Sequence, residues 1–227
     1  MTTQIQLTSP QSVIYPDSDG KPVADNTQQF RWIVTIQGGL DALFKDDPNV
    51  FVAGDLLWYP VEGDNKLCKA PDVMVAFGRP SCDRGSYQQW QENSIAPQVV
   101  FEVLSPSNRL TEMLNKLRFY EEYGVEECYI YEPEGAALSG YLRSGQKLHE
   151  IVEIAGWVSP RLGVRFELGT AGLEIYRPDG QKFATYVELE RQKELAQARA
   201  EQESQRAERL AAKLQELGID PNTLTPF

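Results

Sequence analysis

Within residues 97–133 the chain reads strand, turn, helix, strand, an order that points to a mixed α/β sheet. Pro97 opens Gln98-Val99-Val100-Phe101-Glu102-Val103-Leu104, an apolar run of strand length closed by Ser105-Pro106. A run so continuous suits a strand buried on both faces of a sheet. Ser105-Pro106-Ser107-Asn108 is a turn. Thr111 starts a helix with Leu114, Leu117 and Tyr120 at helical spacing, and Gly124 caps its end. Cys128-Tyr129-Ile130-Tyr131 is the next buried strand, stopped by Glu132-Pro133.

The flanks extend this unit in both directions. Residues 1–25, with Pro10, Pro16, Gly20 and Pro22, read as an arm that gains order only by docking. Residues 27–44 carry apolar residues at helical spacing, while Gly38-Gly39 argues for a break. Residues 50–59 read as a strand closed by Pro60. A turn at 62–65 returns the chain along 66–76, the signature of a hairpin. The polar segment 78–95 is long for a connector, and 136–183 alternates in short runs typical of antiparallel β structure.

From about Ala184 the composition turns to Ala, Glu, Gln, Arg and Leu, with no Gly or Pro until Gly218. Leu189, Ala196, Ala200, Ala207, Leu210, Leu214 and Leu217 form a helical seam, interrupted by Lys193 and Glu203. The expected organisation is therefore an arm (1–25), a mixed α/β domain (26–183), a long polar helix capable of coiled-coil pairing (184–217) and a tail (218–227). A homodimer joined through that helix is the expected assembly.

Composition removes several functions. The chain has 227 residues and 41% hydrophobic content, so a core can be buried. A net charge of −11 argues against coating nucleic acid by charge alone, although bound metal ions can supply local positive charge. No apolar stretch approaches the ~20 residues of a membrane-spanning helix. The N-terminus lacks the basic and apolar regions of a secretory signal, and Cys68, Cys82 and Cys128 are too few and scattered for a disulfide framework or zinc site. No membrane association and a cytoplasmic location are expected. His149 is the only histidine, which removes His-rich metal sites, and GxGxxG is absent.

The residues that point to chemistry are acids inside apolar strands. Asp72 sits in Ala-Pro-Asp-Val-Met-Val and Glu102 in Val-Val-Phe-Glu-Val-Leu. A carboxylate there is costly unless it is paired, protonated or bound to a cation. Lys116 lies on the helix after the Glu102 strand, where side chains can lean over the strand's C-terminal end.

Pro71-Asp72, Glu102-Val103-Leu104-Ser105-Pro106-Ser107, Lys116 with Tyr120, and Tyr123-Gly124-Val125 together resemble the Uma-type family of restriction endonucleases in the PD-(D/E)XK nuclease superfamily. The resemblance runs from about Val50 to Pro133. It implies a restriction-endonuclease-like mixed β-sheet flanked by helices, and a Mg²⁺- or Mn²⁺-dependent endonuclease acting on DNA. Asp72 and Glu102 match the superfamily's metal-holding acids, and the carbonyl of Val103 is a further ligand. The superfamily's lysine stands two residues after the Glu, where this chain has Leu104. Lys116 is where the amine can have moved, which makes Asp72, Glu102 and Lys116 the expected catalytic set. Asp55 and Glu112 are additional acids. Lys69, Arg79, Arg84 and above all Arg109 are candidate contacts to the nucleic-acid backbone, and Tyr87 and Trp90 candidate stacking residues. The alternative function is a catalytically inactive nuclease-fold module for binding or assembly.

Overall fold

The structure is a computed structural model that describes residues 13–20, 22–107, 110–170 and 172–217. The chain divides into two compact units, with the boundary between Phe183 and Ala184.

In the first unit the elements run α1 (Thr27–Leu43), β1 (Val50–Gly54), β2 (Trp58–Tyr59), β3 (Val73–Phe77), β4 (Tyr87–Gln88), β5 (Val99–Val103), α2 (Leu110–Tyr123), β6 (Glu127–Glu132), β7 (Ala137–Ser144), β8 (Lys147–Glu150), β9 (Arg165–Gly169) and β10 (Gly172–Tyr176). A six-stranded sheet has the order β1-β3-β5-β6-β7-β8. Only β5 and β6 run parallel within it, joined by α2, and their neighbours are antiparallel. This is the mixed α/β class that residues 97–133 imply. β9 and β10 form a separate hairpin.

Alternation sorts the central strands between two cores. Val73, Val75, Val99, Phe101 and Val103 face α1 residues Ile33, Ile36 and Leu40, together with Phe166 and Ile175 of the β9–β10 hairpin. Met74, Ala76 and Val100 face the other side, with Trp58, Phe119, Tyr120 and Cys128. All five residues of β5 are buried, as expected of a strand covered on both faces. Asp72 and Glu102 share the parity of Met74 and Val100, so the period of two sends both carboxylates towards α2.

Two local expectations change. α1 runs unbroken through Gly38-Gly39, and a Cβ at Gly39 would collide with the Phe183 ring. Glycine here permits close packing and does not end the helix. Residues 50–59 are not one strand: Asp55 adopts φ 48°, ends β1 and turns the chain before β2. Asp tolerates this left-handed conformation better than most residues.

The second unit contains α3 (Tyr186–Glu216). Thr185 and Glu188 form a reciprocal capping box at its start, and none of its residues is buried.

Candidate active site

The site forms where the start of β3 lies beside the end of β5. Asp72 immediately precedes β3, and its Oδ2 accepts the Val103 N–H at 2.6 Å. Among the described residues, Oδ1 receives no hydrogen bond. Asp72 is almost fully buried, and burial first, then the nearby Glu102 charge, pushes its pKa to about 8. Lys116 and the Val103 N–H oppose that rise but do not cancel it.

Glu102 is held from α2 by residues one helical turn apart. Lys116 Nζ donates to Oε2 at 2.7 Å and to the Ala70 carbonyl at 3.3 Å, while the Tyr120 hydroxyl donates to Oε1. Residues four apart on a helix share a face, so one face delivers both donors. Burial disfavours the charged ammonium, yet Glu102 and then Asp72 outweigh it and hold Lys116 above the ordinary lysine range. Burial, followed by the Glu102 charge, raises the Tyr120 hydroxyl as well.

A cavity of about 650 Å³ opens beside this cluster, lined by Asp72 and Lys116 together with Asp55, Glu112, Lys69 and Asp19. Asp55 has a raised pKa, through burial first and then Asp19 and Glu102. Part of the wall comes from the described residues of the arm, which pack on the same unit: Tyr15 lies against Tyr59 and Trp90, and Tyr59 Oη donates to the Pro16 carbonyl at 2.8 Å.

Three contributors were missed in the sequence. Gln29, in the first turns of α1, donates from Nε2 to the Val103 carbonyl at 2.8 Å and accepts the Asp25 N–H at 2.8 Å. Asp25 accepts from the hydroxyls of Ser105 and Ser107, which hold its carboxyl below the usual range. For Tyr120 the usable signal is its spacing of four from Lys116, which puts both on one helix face. Nothing local distinguishes Gln29 from any polar residue on a helix.

Other candidates separate from the site. Arg79 and Arg84 both clamp the buried Glu92, each at 2.7 Å, and Arg84 also stacks over Phe51. These two arginines pin the 78–95 segment. Tyr87 is buried in the core, and Trp90 is half-buried against Tyr15. Arg109 lies outside the described residues.

Among the described residues, no three His, Cys, Asp or Glu side chains gather as a ready-made metal cluster. The available set is oxygen-only: the Asp72 carboxylate with its unbonded Oδ1, Asp55 and Glu112 across the cavity, and Glu102 and the Val103 carbonyl behind them. That chemistry suits magnesium, which needs one or two carboxylates and takes its other ligands from water and phosphate.

Fold and cluster define a mixed α/β domain with a buried Asp–Glu–Lys site opening on an acidic cavity. The family described as "Uma2: Putative restriction endonuclease" matches residues 26–171, more than half of the chain, and the chain belongs to that family. No curated relative matches. Among solved structures, the chain is similar to a putative nuclease belonging to DUF820 from Anabaena variabilis ATCC 29413. That similarity has 17% identity and a TM-score of 0.45, and covers 63% of this chain and 78% of that one. Among the described residues, no helix is long and apolar enough to cross a membrane.

Proposed function

We propose that the chain is a Mg²⁺- or Mn²⁺-dependent endonuclease that hydrolyses DNA phosphodiester bonds. One observation carries this reading: Lys116 returns an ammonium group to Glu102 at 2.7 Å from a different element, beside Asp72. The amine absent at Leu104 is thus supplied from α2. Asp72 and Glu102, with the Val103 carbonyl, hold the cation. A bound divalent ion offsets phosphate charge and acidifies a coordinated water.

The side chains have distinct tasks. Lys116, held above the ordinary lysine range, stays cationic at neutral pH, so it orients water and stabilises negative charge and is not a general base. Tyr120 keeps the Glu102 carboxylate in one orientation. Gln29 does the same for the Val103 carbonyl. Lys69 lines the cavity wall, which supports a role in meeting a phosphate.

The test is plasmid cleavage with Mg²⁺ or Mn²⁺, by wild type and by Asp72→Ala, Glu102→Ala and Lys116→Ala. Activity that survives repurification in the wild type and vanishes in all three supports the nuclease; equal activity in all four preparations overturns it.

A second reading is a catalytically inactive nuclease-fold module for binding or assembly. Its favouring observation is that Lys116 and Tyr120 already occupy both Glu102 oxygens, within a chain of net charge −11. Calorimetry separates the two, because the inactive module binds no divalent cation at Asp72. In either reading residues 26–183 form the functional domain, the C-terminal helix joins a homodimer, and the protein works in the cytoplasm.

A further inference from the structure

The second unit holds a helix of 31 residues with no buried residue. Leu189 and Leu210 remain 52% and 57% exposed. Most of its apolar residues, together with the C-cap Leu217, nevertheless fall on two interleaved seven-residue repeats, with Val187 and Leu195 outside them. One is Tyr186, Lys193, Ala200, Ala207 and Leu214; the other is Leu189, Ala196, Glu203, Leu210 and Leu217. These are the a and d positions of a heptad seam, in which a charged residue is costly unless it meets its complement. The seam contains two charges of opposite sign, Lys193 in the first repeat and Glu203 in the second.

That placement decides direction. In a parallel pair, like positions face each other, so Lys193 meets Lys193 and Glu203 meets Glu203. In an antiparallel pair, each residue of one repeat faces a residue of the other. We propose that α3 pairs antiparallel with α3 of a second copy, about a two-fold axis beside Ala198. Lys193 then faces Glu203 of the partner subunit, twice by symmetry. The same register places Leu189 against Ala207 and Tyr186 against Leu210. At the centre Ala196 meets Ala200, where small side chains let the backbones approach.

Sliding either helix by one heptad destroys the match. Lys193 would then face Ala196 or Leu210, and Glu203 would face Tyr186 or Ala200. The antiparallel arrangement also opposes the two helix dipoles favourably. On the flank two Arg199 side chains approach each other, but at exposed positions where repulsion is weak and Glu203 lies one turn away. Within its own helix Lys193 already bonds Glu190 at 3.2 Å, an exposed pair that costs little to exchange.

The pairing is independent of the nuclease reading and is tested without an activity assay. Sedimentation equilibrium of the full chain at low salt compares wild type, Lys193→Glu, Glu203→Lys and the double swap, with circular dichroism confirming that α3 stays helical. The wild type is expected to dimerise. Each single substitution replaces two attractions by two repulsions and weakens the dimer by on the order of tenfold. The double swap restores it. A monomeric wild type, single variants that dimerise like wild type, or a double swap that fails to recover would each overturn the pairing.

Discussion

The Val103 N–H donates to Asp72 Oδ2 at 2.6 Å, tying the last residue of β5 to the residue that precedes β3. This backbone-to-side-chain bond links the two acid-bearing ends of strands that are already paired in the sheet. It also leaves Asp72 with a pKa of about 8, because the bond and Lys116 together do not offset burial and Glu102.

Divalent-ion affinity is therefore expected to rise with pH up to about 8, since binding must displace a proton from Asp72 below that value. Calorimetry in buffers of different ionisation enthalpy should detect nearly one proton released at pH 7. Asp72→Asn removes the release and lowers affinity, because a ligating carboxylate is lost.

The same group makes metal-free stability depend on pH. Its folded-state pKa lies above the ordinary 3.8, so its stabilising contribution is complete below about 4 and is lost as pH rises through about 8. Asp72→Asn cannot ionise. Its urea midpoint, compared with wild type, should show the largest relative gain at the alkaline end of that window.

Breaking the clamp on Glu102 leaves a buried carboxylate short of a partner. Lys116→Met should destabilise the fold by about 3–5 kcal/mol, the range for a severed buried ion pair. Tyr120→Phe, which removes a single hydroxyl, should cost about 1–3 kcal/mol. Thermal unfolding checks both, and the order of the two losses is part of the expectation.

Two adjacent glycines in α1 should respond oppositely to alanine. A Cβ at Gly38 meets nothing within 4 Å, so Gly38→Ala should stabilise by about 0.5–1 kcal/mol through helix propensity. At Gly39 the Cβ would enter the Phe183 ring, and overpacking should cost about 1–3 kcal/mol. Chemical denaturation of the two variants gives the comparison directly.

Glu127 provides a control for burial without chemistry. This buried acid on β6 accepts from the Tyr129 hydroxyl at 2.8 Å, the Ser159 hydroxyl and the Arg161 N–H at 2.7 Å. Glu127→Ala should destabilise by about 3 kcal/mol, by stranding those donors, and leave cation affinity per folded molecule unchanged. Calorimetry below the melting transition separates the two effects.

What was readable along the chain was whatever local periodicity encodes. The apolar run of β5, interrupted only by Glu102, announced burial on two faces, the spacing of Leu114, Leu117 and Tyr120 announced α2, and Gly124, at φ 99°, marked its end. Alternation within β5 also set the face that carries Glu102, because a pleated strand sends every second side chain the same way. By contrast, the break at Asp55 has no local signature, since residues on both sides of it are apolar and strand-like. Only the tertiary structure decided that Gln29 meets Val103 across 74 positions of sequence, that Phe183 requires Gly39, and that Arg79 and Arg84 face inward to Glu92. Periodicity is a property of neighbours, whereas these contacts exist only once the sheet has brought distant elements to within a hydrogen bond of one another.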